Sequence, residues 1–457
     1  MINRTGFRNL LESVGGPTPE GYGALSIRIP HLLGLCDGRG RLHKDHAGNR
    51  ILKDPSDTVK RLNPSEISLR GLAESLLGED WEKRSRAIPA FLQQKSLLES
   101  DGRSLLEDNG AGAIMASAFA DINAFTATAT GLLEVGILEA YNSPEFIADK
   151  LAPVEPSKIF EGRKTIGAAR LGDVAEERLP GMPTHRAQFG ERWLTQPRTV
   201  ENAVAVELTQ EAIYLDLTGG QVSEHANSVG EWVAYRKEIR VIDSWIGTGG
   251  LVGANGYNVY VWNYKGTAYA PYATAGTYYI NDIASGNELL YIDNILSAEI
   301  LFRNMTDPET GTLINITPNT ILVNREKEYT ARELFGMSDG QYRSSPGSTS
   351  GEQSFRGQGG PNPIKNKYEV IESPLVYQEC TSATGLNLSA SAAGKKWWLF
   401  ERGNKTHVYI QNWPLRTQTA APNQVDLLDR GIVLFVKADE RGIPMWKDPH
   451  RVVRSAA

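Results

Sequence analysis

The strongest pattern along the chain lies at residues 221–246. Val222, Ala226, Val229 and Val233 step by four, three and four positions, and Trp232, Tyr235, Ile239, Ile242 and Ile246 step by three and four. Both spacings put apolar side chains on helical stripes. Gly219-Gly220 precede the run and Gly247 follows it, so both ends are marked. At 1.5 Å per residue such a helix is ~39 Å long. A rod of that length spans a domain and suggests a scaffold element more than the support of a catalytic loop.

Other stretches give shorter elements. Phe7, Leu10, Leu11 and Val14 fall at helical spacing behind Thr5 and predict an amphipathic helix that packs on its own chain rather than on a membrane. Residues 15–62, rich in Gly, Pro and charge, read mostly as loop. Asn63, Pro64 and Glu66 then supply a cap, a first-turn proline and a capping-box acid, with Leu69, Leu72, Ala73 and Leu76 as the apolar face and Gly78 as the stop. A charged helical stretch runs from about Asp80 to Asp108. Residues 114–151 are again helical, through Phe119, Ile122, Phe125, Leu132, Leu133, Ile137 and Tyr141. Residues 163–200 hold Gly, Pro and many Arg without an apolar period, and predict a long excursion, an extended hairpin. Val204, Val206 and Leu208 alternate as a strand does.

Beyond the long helix, residues 247–285 are Gly-, Tyr- and Thr-rich and read as irregular or β. A helix is expected at about Asp293 to Met305, a strand at Pro318 to Val323 and a helix at Lys327 to Phe335. The Ser/Gly/Gln/Pro-rich tract from Ser344 to Pro363 reads as a surface loop. Val370-Ile371, Trp397 to Phe400, Val408 to Ile410 and Gly431 to Val436 make the remainder β-rich.

Composition narrows the function. The chain has 457 residues, enough for two or three substructures, with 40% hydrophobic and 22% charged residues. Its 48 Lys+Arg stand against 54 Asp+Glu, a net charge of −6, which argues against wrapping nucleic acid by its backbone. Two cysteines, Cys36 and Cys380, do not make a disulfide framework and suit a reducing compartment. No segment approaches the ~20 apolar residues that span a bilayer, and the N-terminus has no signal-peptide core.

Candidate chemistry is sparse. Cys36, His43 and His46, with His31 near, lack a fourth ligand and a CxxC pair, so scattered polar loop residues are favoured over zinc. Gly247-Thr248-Gly249-Gly250-Leu251-Val252-Gly253 follows a helix, the wrong context for a phosphate loop, and reads as a helix stop and turn. No Gly-x-Ser-x-Gly elbow accompanies the histidines. His185, His225 and His450 read as surface or structural, and Glu176-Glu177 as solvated charge. Glu231 and Glu238, among Arg236, Lys237 and Arg240, read as helix-surface pairs worth tenths of a kcal/mol. Tyr257, Tyr260, Trp262, Tyr264, Tyr269 and Tyr272 have few bases between them and suit packing in a β layer better than base stacking. The chain therefore offers no catalytic, cofactor-binding or metal site, and is read as a non-enzyme.

One set of segments carries a resemblance. Val206-Glu207-Leu208-Thr209-Gln210-Glu211-Ala212-Ile213, then Asp216-Leu217-Thr218-Gly219, Val229-Gly230 and Arg236-Lys237-Glu238, is similar to a strand leading into a spine helix in the major capsid proteins of tailed bacteriophages, the Hong Kong-97 type shell fold. Glu139-Ala140-Tyr141 with Pro144-Glu145-Phe146-Ile147 resembles that family's N-terminal arm. Ile432-Val433-Leu434-Phe435-Val436 through Asp439-Glu440-Arg441-Gly442 to Asp448-Pro449 resembles its closing strand. The likeness covers residues 114–457 and rests on the collinear set. It implies an α+β fold: an N-terminal arm at 111–162, an E-loop hairpin at 163–200, a peripheral domain at 201–282 with spine helix 221–246, a β-rich axial domain at 283–420 and closing strands at 421–457. Residues 1–110 fall outside it as a helical, scaffold-like or accessory region.

The resemblance implies a head subunit that assembles in the host cytoplasm into hexamers and pentamers of an icosahedral virion shell. Its partners would be its own copies, a portal, scaffold or decoration proteins, and packaged double-stranded DNA touched non-specifically; no membrane is involved. Some members of the family join an E-loop lysine to a neighbour's asparagine, with a buried glutamate as base. In 163–200 the only lysine is Lys164, at the base of the excursion, while the outer bases are Arg170, Arg178, Arg186 and Arg192. Guanidinium stays protonated and is a poor nucleophile, so no crosslink is expected. Three alternatives stand beside this: an encapsulin-like nanocompartment shell, a β-rich hydrolase running as a discrete particle, and a trimeric or fibrous binding module.

Overall fold

The computed structural model describes residues 28–37, 41–44, 51–55, 69–77, 120–143, 146–166, 193–215, 221–248, 260–276, 278–283, 285–308, 313–336, 364–403, 405–420 and 430–455, with a few isolated positions between them. The expected helices at residues 5–14 and 80–108, the outer part of the excursion and the Ser344–Pro363 tract lie outside them.

In chain order the elements begin with helices α1 (Leu69–Leu77), α2 (Ala120–Tyr141) and α3 (Ala148–Leu151). Strands β1 (Val154–Pro156), β2 (Lys164–Ile166), β3 (Trp193–Thr195) and β4 (Val200–Thr209) follow, then α4 (Gln210–Leu215) and the long α5 (Gln221–Ile246). Next come β5 (Trp262–Tyr264), β6 (Thr267–Tyr269), β7 (Asp282–Ile283), α6 (Ile292–Arg303), β8 (Thr320–Val323), α7 (Arg325–Gly336) and β9 (Glu369–Glu372). The chain ends with α8 (Pro374–Thr381), α9 (Ala390–Gly394), β10 (Trp397–Phe400), β11 (His407–Ala420), β12 (Ile432–Trp446) and β13 (Val452–Ser455). The fold is α+β.

The chain divides into two compact units, Met1–Phe146 with Glu201–Arg236 and Trp413–Arg441, and Ile147–Val200 with Lys237–Asn412 and Gly442–Ala457. The core of the first gathers Leu69, Leu72, Ala73 and Leu76 of α1, Phe125, Leu132, Leu133 and Ile137 of α2, Ala226 and Val233 of α5, and Val433, Leu434 and Val436 of β12. The apolar face expected of α1 is therefore the face it buries, against α2. Where α5 crosses α2, a Cβ on Gly230 would stand 2.3 Å from the Ile137 carbonyl oxygen. Only glycine permits that approach. In this unit β4 lies along β12 and is the last strand of its sheet.

The core of the second unit is built on a five-stranded sheet of order β7-β13-β10-β8-β9. Its central strand is Trp397-Trp398-Leu399-Phe400, antiparallel to both neighbours, with Trp398 opposite Leu322 on one side and Arg454 on the other. A strand covered on both faces reads as an unbroken apolar run, and all four side chains are buried. The C-terminal half of α5 packs into this core through Val241, Ile242, Trp245 and Ile246. Trp245 meets Phe400 at 4.5 Å and Trp446 at 5.2 Å between ring centres. A smaller sheet, β2-β3-β5-β6, carries Trp262 stacked on Tyr264 at 4.5 Å, the β-layer packing expected of these aromatics.

Four details differ from the sequence reading. The strand expected to run through Ile213 stops at Thr209, because the Thr209 hydroxyl accepts the Ala212 N–H at 3.2 Å and caps α4. Trp232, placed on an apolar stripe, is 66% exposed. The loop expected at 15–62 contains a helical turn at residues 28–32. The β-rich remainder also holds α8 and α9, each capped by a serine: Ser373 accepts from Leu375 N and Ser389 from Ala392 N, both at 3.3 Å.

Candidate assembly site and buried polar groups

The residues weighed for metal or catalysis are spread over loops and cores. Cys36 is buried, its thiol raised by burial and by the nearby Asp37 and Glu134 carboxylates. The Cys36 carbonyl bonds His31 Nδ1 at 2.9 Å, the His43 amide bonds the Leu35 carbonyl, and His46 lies outside the described residues. Among the described residues no three His, Cys, Asp or Glu side chains are grouped to hold a metal ion, and no helix is long and apolar enough to cross a membrane. Gly247 closes α5 at φ +72° with Tyr272 against it; residues 249–253, Tyr257, His185 and Glu176-Glu177 lie outside the described residues. His225 is exposed on α5. His450 is buried, its Nδ1 at 2.6 Å from Asp448 and its Nε2 facing the Tyr278 carbonyl. Burial raises the Asp448 carboxyl, but the bonds and charges of His450 and Arg451 outweigh it and hold it below the usual carboxylate range. Ser244 Oγ and His407 Nε2 sit 2.8 Å apart, yet His407 is sealed between Trp245 and Trp446. Burial drives its imidazole down to about 3, so it is neutral and unavailable to solvent substrates.

Glu238 is a correction. The helix-surface residue expected from its charged neighbours is 1% exposed. Its Oε2 accepts the amides of Ile147 at 2.9 Å and Ala148 at 2.7 Å, and Oε1 accepts Ile147 again at 3.1 Å. These are the free donors at the start of α3, so the carboxylate serves as a cap supplied from another helix. Burial pushes its carboxyl up to about 7, against the pull of those two amides. Beside it, Lys237 pairs with Asp149 at 2.8 Å and lies 4.9 Å from the Tyr409 ring centre.

Two surfaces stand out. In the first unit a groove of about 900 Å³ runs between β4 and α5, lined by every residue from Glu201 to Leu208 and by Val229, Trp232 and Arg236 among others. The second surface, in the other unit, is the Lys158–Ile166 segment. It exposes Ile159 (50%) and Phe160 (48%), with Lys158 and Lys164 also exposed. The Ile159 carbonyl is held by Gln196 at 2.8 Å and Asn412 at 3.0 Å, so these apolar side chains are presented by a fixed backbone. The Lys164 ammonium stands 4.2 Å over the Trp193 ring.

Neither surface is a catalytic cleft: each couples exposed large apolar side chains to charge, as a protein–protein contact does. Residues 195–449 match the family described as phage capsid protein. The chain belongs to this family. It is a structural protein rather than an enzyme, a subunit that associates with copies of itself into a phage capsid and forms part of the virion. No curated protein matches the chain. Solved structures similar to it include the virus-like particle from Pyrococcus furiosus, at 12% identity over 71% of this chain and 97% of that one with a TM-score of 0.36. The capsid of the cyanophage P-SCSP1u matches at 11% identity over 68% and 88%, with a TM-score of 0.40. The SrpI encapsulin of Synechococcus elongatus PCC 7942 matches at 10% over 69% and 87%, with a TM-score of 0.39.

Proposed function

We propose that the chain is the major head subunit of a tailed phage, of the Hong Kong-97 type, closing with its copies into an icosahedral shell of hexamers and pentamers. The observation that carries this is the collinear order of parts within a capsid-family chain. An arm-like helix precedes an excursion that begins at β2 and returns at β3, then come an edge strand, one 26-residue helix and a β-rich remainder. On this reading residues 111–162 are the N-terminal arm and 163–200 the E-loop. Residues 201–282 with 421–457 form the peripheral domain, 283–420 the axial domain, and 1–110 an assembly region. Heterologous contacts between identical subunits close rings and shells, and many weak contacts hold together through effective concentration. A net charge of −6 lets packaged double-stranded DNA slide past a wall that touches it only non-specifically. Portal and scaffold or decoration proteins complete the particle, which assembles in the host cytoplasm.

Electron microscopy beside size-exclusion chromatography of the recombinant protein tests the proposal. Closed particles or capsomers are expected. A monomer at high concentration across salt and pH refutes it, and trimers or fibres would point to a binding module instead.

A further inference from the structure

Strand β4 is ten residues long, and among the described residues nothing pairs with its outer edge. Such an edge offers a row of amides and carbonyls to another strand. The groove follows that edge: consecutive residues of β4 line it, including both those that face α5 and those that face away. Its floor is Val204, Val206 and Val229, and Trp232 stands exposed at its rim. A second observation points to an occupant. Asn202 lines the groove at 8% exposure, and its Nδ2 has no hydrogen-bond partner among the described residues. A buried donor left unpaired costs ~1–3 kcal/mol unless something arrives to accept from it.

We propose that this groove takes the Lys158–Ile166 segment of a second copy, which adds along the outer edge of β4. Charge and shape both favour this occupant. Two acids line the groove, Glu207, which is exposed, and Glu201, which Lys437 pairs at 2.8 Å, beside the basic residues His225 and Arg236. Pairing β4 with itself in antiparallel register about Val204 would set Glu201 opposite Glu207, a like-charge pair, so a symmetric contact is disfavoured. The Lys158–Ile166 segment is the complement: Lys158, Arg163 and Lys164, against the single acid Glu161, flank the exposed Ile159 and Phe160. Its strand β2 is likewise the last of its own sheet, β2-β3-β5-β6, with an outer edge to offer. The apolar pair fills the groove beside Trp232, a base of the segment meets Glu207, and the contact is head-to-tail, the kind that propagates into rings.

This inference rests on the self-assembling shell, and the experiment separates the two. Wild type, Trp232→Ala, Phe160→Ala, Glu207→Lys, Lys164→Glu and the double variant carrying both charge reversals are compared by sedimentation velocity and electron microscopy, with circular dichroism of the unassembled subunits. The substituted side chains are exposed, so all variants are expected to melt like wild type. Each single substitution should raise the concentration needed for assembly by about tenfold or more, the effect of losing one hot-spot contact. The Glu207→Lys/Lys164→Glu chain should recover, since every contact in its shell regains opposite charges. Wild type that assembles while the single variants assemble equally well overturns this contact and leaves the shell standing. A double variant no better than its parents also overturns it. Wild type that never assembles sinks both.

Discussion

Glu238 makes a prediction that the wild-type protein conceals. Its folded carboxyl titrates at about 7, against an ordinary 4.5. The folded state therefore holds the proton more tightly, and linkage requires that Glu238's contribution is fully present below 4.5 and lost as pH rises through 7. At ~1.4 kcal/mol for each tenfold change in proton affinity the whole effect is on the order of 3 kcal/mol, with about 2.5 of it between about pH 8 and pH 5. His407 acts oppositely. Its folded value of about 3 lies below the ordinary 6.5, so its stabilisation is present above 6.5 and lost as pH falls, by about 2 kcal/mol down to about pH 5. Between these two groups the profile nearly cancels. Glu238→Gln should unmask the His407 slope, so that the variant loses about 2 kcal/mol on acidification while wild type, as far as this pair is concerned, stays level. The assay is guanidinium unfolding of dilute unassembled subunits at several pH values. Tryptophan fluorescence reports it, since Trp245, Trp397, Trp398 and Trp446 all lie in the core that contains both groups. Parallel wild-type and variant profiles, or a Glu238 carboxyl resonance titrating near 4.5, would refute the reasoning.

Three further outcomes are expected. His407→Asn should tilt the same profile the other way, with stability rising by about 2.5 kcal/mol relative to wild type's flat pair as pH falls from about 8 to 5; an unchanged slope would show that the imidazole is not held neutral. Gly230→Ala should destabilise by about 1–3 kcal/mol, through the clash with the Ile137 carbonyl, and lower the thermal midpoint of the unassembled subunit; a midpoint equal to wild type would mean that α2 and α5 are not in contact there. Particles boiled in detergent with reductant should run as one monomer band, since Lys164 sits in β2 at the base of the excursion with its ammonium over Trp193; a ladder would reveal another amine.

What was legible in the sequence was whatever local spacing determines. Helix α5 occupies Gln221–Ile246, the stretch its apolar steps and flanking glycines marked. Strand β10 is an unbroken apolar run because it is covered on both faces. Read from apolar runs alone, the two longest strands come out short, although the resemblance carries the closing strand on to Pro449, and the reason is equally physical. The apolar run of β12 breaks off after Val436, but the strand continues to Trp446 through Asp439 and Glu440, both fully buried. Asp439 is tolerated inside because Trp413 and Arg416 on β11 reach it at 3.0 and 2.8 Å. A carboxylate whose partners stand some twenty-five positions earlier looks, along the chain, like the start of a turn.

The same reasoning explains why α5 misled as to its polar residues. Periodicity assigns one buried face to a helix, and from Gln221 to Arg236 that holds well enough to bury Ala226 and Val233 and to expose Glu231 and Trp232. From Val241 onward every residue of α5 is buried, so no face is left for charge, and a helix apolar all round is a core helix. Lys237 and Glu238 sit at the changeover and were read by the rule of the first half. What buries them is the start of α3, ninety positions earlier, whose free amides require an acceptor. The signal in the sequence was negative: the charged residues of α5 cease after Arg240 except for Asp243, itself buried. A helix that stops spending charge on solvent marks where its surroundings close, and the last charges before that point are the ones to suspect of holding something in place.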